Sequence, residues 1–148
     1  MHFKFTLILL LLYITNNGLS QTFLEGFDDI NTLSDWYFQN NSTSANQSWH
    51  QGNQFDAHEG AIDSYLGVGY QSSSASNPVT LSNWAISPSR TFNNGDIITF
   101  YTRHIDGTPV FPDRLELRLS EDGNNLNVGF SEEDVGTFSN VLLTINPS

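Results

Sequence analysis

Turn-forming residues interrupt this chain about every ten positions, at Asn53, Gly60, Asn77-Pro78, Ser87-Pro88, Asn93-Asn94-Gly95, Asp106-Gly107 and Asp122-Gly123-Asn124. That interval leaves room for short strands but not for helices of ordinary length, and it is the pattern of an all-β sandwich or barrel. Between the turns lie runs of aromatic and branched residues. Arg114-Leu115-Glu116-Leu117-Arg118-Leu119 alternates leucines with charges, as a strand with one wet face requires. Residues 97–101, 64–70, 84–86 and 141–145 are further strand candidates, and residues 23–27 are placed to start a sheet. No segment after residue 20 sustains an apolar period of 3.6. The best short-helix candidate is residues 131–134, where Ser131 precedes three acids suited to a helix N-terminus. Two polar stretches, 40–48 and 71–77, read as loops, and a single domain is expected over residues 21–148.

Residues 1–20 have the form of a secretory signal peptide. Lys4 supplies the positive start, residues 5–14 an apolar run, and Gly18 and Ser20 the small residues before a cut that leaves Gln21 first. The apolar run is too short to span a bilayer, which takes about 20 residues. A secreted or outer-surface location follows, with no membrane insertion after cleavage. The net charge of -11 and the absence of lysine beyond Lys4 argue against nucleic acid, because a basic face is needed to displace counterions from phosphate. With no cysteine there is no disulfide framework and no thiolate metal site. Aromatics make up 13% of the chain and charged residues only 14%, so there is apolar material for a core and disorder is not expected.

Several motifs, taken in order, resemble the bacterial choice-of-anchor J domain, also called the cleaved adhesin domain. They are Phe23-Leu24-Glu25-Gly26-Phe27-Asp28, Trp36, Ser48-Trp49-His50-Gln51-Gly52-Asn53, Ser64-Tyr65-Leu66 and Ser82-Asn83-Trp84-Ala85-Ile86-Ser87-Pro88. Asn94-Gly95-Asp96, Phe100-Tyr101-Thr102-Arg103, Asp113-Arg114-Leu115-Glu116 and Gly136-Thr137-Phe138 complete the series. Ala85 departs from it, standing where the family usually carries a larger aliphatic. The resemblance implies an antiparallel jelly-roll β-sandwich, non-catalytic, of the kind found in the adhesin regions of gingipain-type proteases. It also implies structural calcium, with Glu25, Asp63 and Asp113 as the candidate metal ligands beside its motifs. Measured against the family, the chain ends before the closing strands, and on that ground the domain is expected to be incomplete and poorly stable alone.

Calcium takes six to eight oxygens, which an acidic chain with Asp- and Asn-rich loops can supply. Against that stands the ordinary role of surface acids as solvated or turn-capping groups. Trp49, followed by His50-Gln51-Gly52-Asn53, combines an aromatic platform with amides and is the candidate ligand-binding residue; packing in a core is the competing role. Trp84 is expected in the core. His50, His58 and His104 lack the spacing of a familiar metal site, no Gly-x-Ser-x-Gly elbow marks a nucleophile, and Glu132-Glu133-Asp134 reads as a solvated acidic turn. The expected function is an adhesin-type, carbohydrate-binding-like module for an extracellular glycan or a host or matrix protein. The alternative is an accessory substrate-binding module of an exported peptidase or glycosidase; a small hydrolase is a formal third.

Overall fold

The computed structural model describes residues 22–76, 78–104 and 113–146. The leader and the turns at Asn77 and at Asp106-Gly107 lie outside them. The described residues are rich in strand with almost no helix. Six strands form three two-stranded antiparallel ladders: β1 (Tyr37–Asn40) with β4 (Asn83–Ile86), β2 (His50–Gln51) with β3 (Leu66–Gly67), and β5 (Leu115–Leu119) with β6 (Asn140–Ile145). Two 3-10 turns, Ile30–Thr32 and Tyr70–Ser72, are the helical content among these residues.

In the first ladder Phe38 stands opposite Ala85 and Gln39 opposite Trp84. Successive side chains on a strand alternate faces. Trp36 and Phe38 therefore share one face, where their rings stack at 6.4 Å and Phe27 meets Trp36 edge-on at 5.1 Å. On the other face Trp84 tilts against Phe138 at 5.8 Å, and Gln39 donates through Nε2 to the Gly129 carbonyl at 3.1 Å. That face seats the segment carrying Val128, which is 1% exposed, and together with Ile86 at 8% Val128 makes up the buried apolar core of the described residues.

The alternation at Arg114–Leu119 appears as expected in β5. Arg118 Nε meets Glu116 Oε2 at 2.6 Å and Arg114 Nε lies 3.7 Å from Glu116 Oε1, so the charges line one side while Leu117 pairs with Leu143 on the other. A bulge between Leu117 and Arg118 leaves Leu142 without a partner in register. Val141, Leu142 and Leu143 are each roughly half exposed. The turn before residue 97 forms as read: Asp96 N–H donates to the Asn93 carbonyl at 3.1 Å, and its carboxylate accepts from Asn93 N–H at 2.7 Å.

Four expectations need correction. Residues 23–27 form no strand, because Phe27 adopts a left-handed φ of 54° and its N–H is taken by the Glu25 carboxylate at 3.0 Å. Residues 97–101 find no ladder partner among the described residues, and Ile97 and Tyr101 stay exposed. Only Leu66–Gly67 of the 64–70 run is strand, since the 3-10 turn at Tyr70–Ser72 begins directly after Gly69. Residues 131–134 make a single turn rather than a helix: Asp134 reaches back, and its Oδ2 accepts from Phe130 and Ser131 N–H, both at 2.9 Å.

Candidate functional site

Trp49 lies in the wall of a cleft of about 400 Å³ lined by Gln47, Ser48, Trp49, His50, Asn53, Gln54 and Gln71. The volume falls in the usual range for small-molecule sites, about 300–1,000 Å³. The cleft stands at the β2–β3 ladder, and each wall is fixed by a polar residue outside the lining.

Asn40, the last residue of β1, fixes one wall. Its carboxamide nitrogen donates to the carbonyls of Gln47 and, at 2.7 Å, Ser72, and its oxygen accepts from Ser42 N–H at 2.8 Å. Backbone bonds from Asn46 to Ser72 at 2.9 Å and from Gln47 to Gln71 at 3.2 Å complete the seam. Gln47 and Gln71 thus come from the two polar stretches and meet side by side.

Tyr65 fixes the other wall. Its phenolic oxygen accepts from three consecutive backbone N–H groups, those of Asn53, Gln54 and Phe55, at 2.7–2.9 Å. The ring can lie there because residue 52 is glycine: a Cβ at Gly52 would overlap it. The same device recurs across the ladder, where His50 faces Gly67 in register and its ring fills the space a Cβ there would take. His50 Nδ1 lies 2.8 Å from the Gln51 carbonyl. A carbonyl only accepts, so the proton sits on Nδ1 and a neutral ring has Nε2 as its acceptor.

Two sets of carboxamides among the described residues bear on the cleft. Those of Gln39, Asn40, Asn41 and Gln51 are bonded to backbone carbonyls and hold segments together. Those of Gln47, Asn53, Gln54 and Gln71 make no hydrogen bond to the described chain. Each keeps two N–H donors and a carbonyl acceptor for use elsewhere. Beside them, Trp49 Nε1 and Ser48 Oγ are covered without a partner. The site is therefore a half-buried indole ringed by unused amides. His50 and Asn53 belong to the motif that drew attention to Trp49. Gln47, Gln54 and Gln71 were not legible as site residues; the signal that bears on them is the pair of polar stretches, read only as loops.

The candidate calcium ligands do not assemble. Glu25 spends one carboxylate oxygen on Phe27 N–H. Gln51 Nε2 bridges the Phe27 carbonyl at 2.9 Å and the Asp63 carbonyl at 2.5 Å, and Ser64 Oγ donates to Asp28 at 2.6 Å, so the 25–28 and 63–64 segments adjoin. Asp113 lies instead at the β5–β6 ladder, where its carbonyl accepts from Asn146 Nδ2 at 3.2 Å. Among the described residues no three His, Asp or Glu side chains converge as a group that could hold an ion. His58 stacks on Tyr101 at 3.4 Å, apart from the cleft lining. Trp84, expected in the core, is half-buried and donates through Nε1 to Ser82 Oγ at 3.3 Å. Among the described residues no helix is long and apolar enough to cross a membrane.

No family model, curated protein or solved structure matches the chain.

Proposed function

We propose that the chain is a secreted or surface-displayed, non-catalytic binding module that takes an extracellular glycan in the Trp49 cleft. The observation that carries this reading is the set of four unbonded carboxamides around a half-buried indole. A sugar ring offers an apolar C–H face for an aromatic platform and a rim of hydroxyls that both donate and accept. Side-chain amides match hydroxyls in both roles. The jelly-roll sandwich and the kinship to cleaved adhesin domains belong to the same proposal. Their support is the motif order, the antiparallel pairing of every ladder and the apolar sheet surface at β6. Structural calcium, implied by the same motifs, belongs to the proposal too; its support is that the segments carrying Glu25 and Asp63 adjoin through Gln51.

Screening the secreted chain on a glycan array, followed by calorimetric titration of any hit, tests the reading. Trp49→Ala should weaken the hit at least tenfold, about 1.4 kcal/mol. Because Trp49 is half-buried and its loss also touches packing, the exposed Asn53→Ala and Gln54→Ala changes serve as the second arm. They should weaken binding with the melting temperature unchanged. Full affinity in all three variants would move the ligand site away from this cleft.

A further inference from the structure

Resting on the glycan reading, we infer a narrower ligand class: the cleft selects neutral glycans and rejects those carrying carboxylate or sulfate groups. None of the seven lining side chains carries a fixed charge, in a chain whose net charge is -11. Recognition of an anionic sugar calls for Arg or Lys aimed at the anion. The described residues contain no lysine, and their arginines are engaged elsewhere. Arg90 covers the Phe23 ring at 3.8 Å, Arg114 and Arg118 flank Glu116, and Arg118 also donates to the Phe138 carbonyl. Arg103 is stacked at 4.7 Å over Phe55, the residue after Gln54. It is not part of the lining. An acidic sugar entering the cleft would exchange water for amides without gaining a counter-charge, and would approach against the field of the whole chain. A neutral sugar meets neither cost. The excess of acids over bases then acts as a filter on the approaching polymer, and the amides act as the reader of hydroxyl pattern.

An array carrying neutral and acidic glycans, with calorimetry of the full secreted chain against matched neutral and uronic-acid oligosaccharides, separates the possibilities. The expected result is binding to one or more neutral glycans, with the acidic counterparts at least tenfold weaker. Gln54→Arg, a cation placed in the exposed lining, should raise affinity for the acidic counterpart several-fold with the melting temperature unchanged. Acidic glycans bound as tightly as neutral ones, or more tightly, would overturn the selectivity while leaving the glycan reading in place. Binding to no saccharide would remove both.

Discussion

The Tyr65 ring occupies the space that a side chain on Gly52 would need, and Gly52 N–H donates to the Tyr65 carbonyl at 2.8 Å. The contact joins ladder and loop, because the same ring carries the phenolic oxygen on which residues 53–55 hang. Gly52→Ala must push the ring aside and release that loop. Overpacking of this kind costs about 1–3 kcal/mol, measurable by urea denaturation. Tyr65→Phe keeps the ring and removes only the acceptor. It should cost about 1 kcal/mol and accelerate amide exchange at residues 53–55. Equal stability of Gly52→Ala and the parent chain would refute the close contact.

Gln51 is the second point on which several segments depend. Its oxygen accepts from Ile30 N–H at 2.8 Å while its nitrogen serves the Phe27 and Asp63 carbonyls. Gln51→Glu preserves shape and the acceptor, but sets a carboxylate against two carbonyls. The expected loss at neutral pH is about 2 kcal/mol. The deficit should shrink in acid, where a protonated carboxyl regains one donor. A pH-independent deficit would mean that the charge set against the two carbonyls is not its cause.

Asp134 gives a pH dependence with a definite sign. The backbone N–H groups of Phe130 and then Ser131, with a further contribution from the Ser131 side chain, hold its carboxyl below the ordinary aspartate value of 3.8. The folded chain thus favours the ionised form. Its stabilising effect is complete above that ordinary value and is lost as pH falls through the lower folded-state value. Asp134→Ala should melt below the parent chain at pH 7, with the two curves converging in strong acid. A gap that persists there would point to a structural cause other than ionisation.

The β6 surface makes a different prediction. Leu142, left over by the bulge, lines a groove of about 200 Å³ with Phe92, Asn93, Asp96, Ile98 and Leu119. Leu142 is 51% exposed. Leu142→Lys should change stability by no more than about 0.5 kcal/mol, as for other surface positions, while lowering the binding of a hydrophobic dye and any self-association. A large loss of stability would show that Leu142 is covered in solution.

What could be read in the sequence was local. The leucine–charge alternation around Glu116 and the Asn93–Asp96 turn need only their neighbours, and both appear in the structure. β1 escaped notice because Tyr37–Asn40 becomes strand through pairing with the distant Asn83–Ile86, and its last residue, Asn40, reads as the start of a polar loop. Phe27 escaped for the opposite reason: its left-handed turn rests on Glu25 two residues earlier, against the extended preference of an aromatic run. The division of labour among carboxamides was illegible in principle. Asn40 and Gln47 carry the same functional group in the same stretch, and only the position of Ser72 decides that one is a clamp and the other is free. Trp49 could be singled out as a candidate because an indole beside amides is conspicuous at any position.

With Ile86 and Val128 as the buried apolar residues, and with amide clamps joining the segments, thermal unfolding of the described body transfers little hydrocarbon to water. Calorimetry should then record a heat-capacity increment below the ordinary value of about 12–15 cal/mol/K per residue. The stability curve would be correspondingly shallow, with little change in stability between a cold and a warm temperature.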